Sequence, residues 1–141
     1  MKINTLKKIV CFTLAMIIAM SVTLFASAES ANPYDIASSS KQSSLSIDSN
    51  GVVTLMSTYQ SVDTSIVQID IEHSLEKHAY LWTWDNVGGK SSKTVFDFNN
   101  YLITYRTGLE SGTYRLKSVF TTYLDDGRSE TITLYSNELT I

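Results

Sequence analysis

Few side chains in this sequence are of types that could do chemistry. Histidine occurs twice, at His73 and His78, in a segment that also holds Glu72 and Glu76. A zinc centre needs three or four ligands converging on one point. Two histidines five apart on an extended chain face opposite ways, so they are read as ordinary surface or turn residues. Serine is plentiful, but no Gly-x-Ser-x-Gly elbow raises one as a nucleophile. Carboxylates hydrolyse glycosides in pairs. Asp70 and Glu72 share the polar side of one stretch, with Asp97 and Glu130 elsewhere, and acids on the outer face of a strand are usually just solvated. Asp125-Asp126-Gly127 offers oxygens of the kind calcium takes, yet the same residues spell a hairpin turn. Gly88-Gly89-Lys90 lacks the spacing of a phosphate-cradling loop. The inventory points to no cofactor, no metal and no catalysis.

One aromatic pattern stands above this background. Tyr80, Trp82 and Trp84 alternate with Leu81 and Thr83. On an extended strand that places three rings on one face. Such a stripe has two uses. Pyranose faces stack on a flat row of rings, which makes Tyr80, Trp82 and Trp84 a candidate ligand platform. Alternatively, a β-sandwich needs large inward side chains, and a tryptophan on a central strand is a common anchor. The core reading is preferred, because three bare rings would form a costly exposed patch. It implies that Trp82→Ala or Trp84→Ala would cost ~3–5 kcal/mol.

The elements that position these residues begin after an export signal. Lys2, Lys7 and Lys8 precede an apolar run over residues 9–25, closed by Ala26-Ser27-Ala28. That order is the grammar of a secretory signal peptide, so residues 1–28 are expected to be removed before Glu29. The apolar run approaches the ~20 residues of a membrane span, but the small-residue site and the acid behind it favour cleavage. Cys11, the only cysteine, falls in the signal. The remaining 113 residues can form no disulfide and no thiolate site, and their number suits one domain. They carry eight basic and fourteen acidic side chains, formally −6. Sequence-independent nucleic-acid binding needs a basic face and is not expected.

Residues 29–43 are polar, with Pro33 and a serine run, and read as a flexible leader. From residue 44 onward the pattern has period two. Leu45 and Ile47 alternate with Ser46 and Asp48, and Asp48-Ser49-Asn50-Gly51 supplies a hairpin turn before a run over 52–59. Over 64–75, Val67, Ile69, Ile71 and Leu75 oppose Gln68, Asp70 and Glu72. The aromatic stretch 79–85 comes next, then Asn86-Val87-Gly88-Gly89 as a turn. Residues 94–105 are interrupted at Asn99-Asn100, and 113–124 and 129–135 are joined by Asp125-Asp126-Gly127-Arg128. Asn137 marks a switch before the last residues. Nothing holds a helical period. About seven short strands predict a single antiparallel sandwich over 44–141.

Leu109-Glu110-Ser111-Gly112-Thr113-Tyr114 resembles the corner of immunoglobulin-like and fibronectin-like sandwiches, where a tyrosine early in the penultimate strand bonds back to the preceding turn. Tyr114 is the candidate for that structural tyrosine corner. The likeness extends through Arg115, Glu130-Thr131 and Tyr135-Ser136-Asn137, and back to Leu75 and the Trp82/Trp84 region. Over 44–141 the chain resembles an uncharacterised family of small secreted proteins from Gram-positive bacteria with an immunoglobulin-like β-sandwich. It departs from antibody domains in lacking both inter-sheet cysteines. The resemblance implies fold and an extracellular location, and no activity, because fold alone supplies none. The expected function is a non-catalytic extracellular interaction module for a cell-envelope or matrix component, protein or glycan. The alternative is an assembly protein pairing through sheet edges, with 29–43 as the donated strand; a small hydrolase ranks third. Membrane contact is expected only through the signal before cleavage.

Overall fold

The computed structural model describes residues 39–141. The expected signal peptide and residues 29–38 of the leader lie outside the described residues. Eight strands follow in order: β1 (Ser39–Ile47), β2 (Val53–Ser61), β3 (Ile66–His78), β4 (Trp84–Val95), β5 (Asn99–Arg106), β6 (Thr113–Leu124), β7 (Ser129–Tyr135) and the two-residue β8 (Leu139–Thr140). Every pairing is antiparallel. One sheet has the order β1-β2-β5; the other has β4-β3-β6-β7, with β8 also on β6. The two sheets face each other as a sandwich, the architecture that period-two patterning calls for.

Burial alternates along β6 residue by residue. Tyr114, Leu116, Ser118, Phe120, Thr122 and Leu124 point inward, as a strand with one solvated face requires. Two apolar clusters result. Tyr59, Ile66, Ile69, Ile71, Val95, Phe120 and Leu124 fill one end; Leu45, Val53, Leu55, Leu75, Tyr114 and Leu116 fill the other. Turn chemistry fixes the registers. Asp48 Oδ1 accepts from the amides of Asn50 and Val52 at 2.8 and 2.9 Å, and Gly51 takes the positive φ of 75° that closes the β1–β2 hairpin. These bonds hold the Asp48 carboxyl below its usual range, the Val52 amide foremost.

At the start of β6 the Tyr114 hydroxyl donates to the Glu110 carbonyl at 2.7 Å, and the ring is buried. The stem of Lys77 crosses Gly112, where a Cβ would meet Lys77 Cε at 2.5 Å, and its ammonium sits 5.7 Å above the Tyr114 ring. A hydrogen bond of this kind contributes about 1 kcal/mol net. Tyr114→Phe, which keeps the ring, should therefore lower stability by about 1 kcal/mol in urea unfolding; equal midpoints would deny the bond any role.

Several local expectations are corrected. The strand β1 starts at Ser39, within the segment read as leader, so residues 39–43 are paired with β2 rather than loose. Val67 points outward at 48% exposure, and Ile66 takes the inward position. The reason is a register shift between Ile66 and Gln68 against β6; one extra residue reverses the alternation at that point. Gly88 and Gly89 are not a turn but lie inside β4, at an irregularity where Ser91 pairs with His73 and Val87 with Leu75. The turn lies upstream instead, within residues 79–83, where a strand was expected.

Candidate aromatic binding surface

That displaced turn changes what the aromatics do. Tyr80, Leu81, Trp82 and Thr83 form the tip of the β3–β4 hairpin, closed by Thr83 N donating to the Tyr80 carbonyl at 2.9 Å and Ala79 N to the Thr83 carbonyl at 3.0 Å. The Thr83 hydroxyl donates to the Tyr80 carbonyl at 2.8 Å and accepts from its amide at 3.1 Å. His78 Nε2 donates to the Leu81 carbonyl at 2.7 Å. These bonds outweigh the alternating pattern, and the stripe is not core. Tyr80 is 73% exposed, Leu81 62% and Trp82 90%. The large core cost expected for Trp82→Ala is accordingly withdrawn, since surface changes stay within about 0.5 kcal/mol.

Leu81 is the only non-glycine residue with positive φ among the described residues, at 51°. It occupies the first central position of the turn, where glycine is the favoured residue. A branched apolar side chain held there at 62% exposure gains little packing from it, and strain of this sort gathers at functional sites. Leu81→Gly should raise stability by about 0.5–1 kcal/mol, the left-handed penalty less the chain entropy of glycine. A lower thermal midpoint would show that Leu81 packs to advantage.

Trp84 belongs to a second arrangement, on the outer face of the five-stranded sheet. The Arg115 guanidinium stacks between two rings, 4.1 Å from the centroid of Trp84 and 4.0 Å from that of Tyr135. His78 meets Trp84 edge-on at 5.2 Å. Beneath them Glu76 Oε2 accepts from Arg115 Nε and Nη2, both at 2.8 Å. Cation–π stacking and the ion pair fix the guanidinium from three sides. The ladder runs from β4 through β6 to β7 and stiffens the sheet where the hairpin tip leaves it. Between tip and ladder lies a hollow of about 380 Å³, lined by His78, Leu81, Trp82, Trp84, Thr113 and Glu138.

The structure thus brings Tyr80, Trp82 and Trp84 near one another, though on a turn and a strand end rather than one strand face. Tyr114 is separate, in the core. Arg115, Tyr135, His78 and Glu138 join the aromatic surface, a role the sequence reading assigned to none of them. His78 lies on the exposed face, whereas His73 is buried at 1% exposure, which overturns its reading as a surface or turn residue. His73 Nδ1 is 3.0 Å from Ser57 Oγ and Nε2 is 2.8 Å from Thr104 Oγ1. Ser57 Oγ continues to Ser118 Oγ at 2.6 Å and Ser118 to Ser43 Oγ at 2.8 Å. This polar seam joins both sheets. A Ser–His contact is the geometry of an activated nucleophile, but Ser57 is itself fully buried. Among the outward acids, Asp70 accepts from Thr94 Oγ1 at 2.7 Å and Gln68 Nε2 at 3.1 Å, and the Thr94 bond leads in holding its carboxyl below the usual range.

No protein-family model, curated protein or solved structure matched this chain.

Proposed function

We propose that this protein is a secreted, non-catalytic interaction module, immunoglobulin-like in fold, that grips a cell-envelope or extracellular partner through the β3–β4 hairpin tip. The observation that carries the reading is the exposure of Trp82, at 90%, on a turn held in strained backbone. A bare tryptophan on a rigid support is the residue type that dominates binding surfaces. The fold assignment draws support from the strand orders β1-β2-β5 and β4-β3-β6-β7 and from the Tyr114–Glu110 bond. Secretion draws support from the charged, apolar and small-residue order of residues 1–28. The enclosure of Ser57 and His73 weighs against hydrolysis. Edge-to-edge assembly is disfavoured at two of the edge strands, where Lys93 Nζ bonds the Tyr101 carbonyl of β5 and the Asn137 amide brackets the backbone of Leu45 on β1.

The test is capture of residues 29–141 on isolated bacterial envelopes. Trp82→Ala should reduce capture by about tenfold or more, the scale of one hot-spot residue, while its urea midpoint stays that of the parent. Equal capture by the two proteins would defeat the tip as the binding surface.

A further inference from the structure

Resting on that reading of the tip, we infer that the hollow between Trp82 and Trp84 is a subsite for a neutral glycan. Its lining divides by chemistry. Leu81, Trp82 and Trp84 supply apolar faces, while His78, Thr113 and Glu138 supply polar atoms. A pyranose has the same division, with an axial C–H face that stacks on an indole and a rim of hydroxyls that need acceptors and donors. Glu138 is exposed and has no ion-pair or hydrogen-bond partner among the described residues, so its carboxylate is free to accept from sugar hydroxyls. The Thr113 hydroxyl, 3.1 Å from that of Thr140, keeps further hydrogen-bonding capacity. At about 380 Å³ the hollow is at the small end of ligand sites, which run from roughly 300 to 1,000 Å³.

Charge selects among ligands. The cations nearest the hollow are committed: Arg115 to Glu76 at 2.8 Å and Lys77 to Glu110 at 3.2 Å. The Glu110 bond leads in raising the Lys77 pKa, which keeps Lys77 charged. Among the described residues lining the hollow there is no lysine or arginine to meet an incoming phosphate or carboxylate, and Glu138 repels one. Anionic polymers and acidic lipid surfaces are thereby disfavoured. A quaternary ammonium would want several ring faces closing around it. Here a face of Trp84 is occupied by Arg115, and Trp82 stands open at 90% exposure. One free ring beside a carboxylate makes a platform, which suits a sugar, and not a cage.

The experiment titrates residues 29–141 with chitohexaose and cellohexaose as neutral probes, oligogalacturonate as the anionic probe and choline as the cationic one. Tryptophan emission is followed throughout. The neutral oligosaccharides should shift emission to the blue at concentrations up to roughly millimolar, and Trp82→Ala should weaken them about tenfold or more. Glu138→Gln, which keeps an acceptor but not the charge, should weaken them by about threefold and relieve the exclusion of oligogalacturonate. Three results would overturn the inference: no response to either neutral probe, unchanged affinity in Trp82→Ala, or preference for choline or the anionic probe. If the probes fail while envelope capture still depends on Trp82, the glycan subsite falls and the hairpin tip stands as a site for another partner. If capture too ignores Trp82, both fall.

Discussion

Acidification from pH 6.5 to pH 4 should remove about 3 kcal/mol of stability, and His73 should be the cause. Burial first, and the Arg106 charge second, push its pKa down to about 4, against an ordinary 6.5. Between those values the unfolded chain binds a proton at this side chain and the folded domain does not. Stability is therefore fully present above about pH 6.5, falls through the interval and levels off below about pH 4 for this group. The carboxylates held low, Asp48, Asp70 and Asp126, lose their own contributions only at more acid pH. Urea midpoints measured across the range should show the slope in the parent and little of it in His73→Gln. A flat parent profile between pH 6.5 and 4.5 would mean that the seam accommodates imidazolium, with Ser57 and Thr104 both turning to accept.

The seam explains why this histidine was misread. Its place in the alternation was legible: Ile69, Ile71, His73 and Leu75 are spaced by two, and all four are buried. Polarity works against an inward His73, because a lone buried imidazole is costly. What makes it tolerable is a pair of hydroxyls from other strands, Ser57 on β2 and Thr104 on β5, with Ser118 on β6 bonded in turn to Ser57. None of these is near His73 in sequence, so the compensation is visible only once the sheets are paired. The hairpins, by contrast, were written locally. Asp48-Ser49-Asn50-Gly51 and Asp125-Asp126-Gly127-Arg128 place their turns, and β6 and β7 run over the expected residues.

The aromatic segment failed for the opposite reason. Alternation over 80–84 suggested a strand, but alternation describes side-chain direction only if the backbone is extended. Nothing in Tyr80-Leu81-Trp82-Thr83 advertises a turn, since glycine, proline, asparagine and aspartate are all missing. The Thr83 hydroxyl and the His78 ring supply the bonds that turn residues normally encourage. The ladder was partly readable. The Asp-Gly turn fixes β6 against β7, with Lys117 opposite Tyr135, which puts Arg115 one diagonal step from Tyr135. Its contact with Trp84 was not readable, because that depends on the turn at 79–83, which pairs Trp84 with His78.

Arg115→Ala should be the most damaging single change on the outer face, at about 3 kcal/mol. Two losses combine. The Glu76 side chain is 9% exposed and would be left without its counter-charge; breaking a buried pair costs more than the pair is worth, because the stranded ion stays desolvated. The Arg115 side chain is 22% exposed, which keeps the cost below that of a fully enclosed pair. Trp84 and Tyr135 also lose the cation between them, worth about 0.5–1 kcal/mol at each ring. Arg115→Lys tests the division between the two terms. An ammonium can meet one carboxylate oxygen but cannot lie flat between two rings, so it should recover less than half of the loss. In Glu76→Gln the buried negative charge is gone, and adding Arg115→Ala to it should cost only about 1–2 kcal/mol. The effect should reach the binding surface as well: amide hydrogen exchange at Ala79 and Thr83 should quicken in Arg115→Ala, because the hairpin tip stands on Trp84. A loss under about 0.5 kcal/mol, with exchange at the tip unchanged, would reduce the ladder to a surface ion pair of ordinary worth and leave the rigidity of the tip to its own turn bonds.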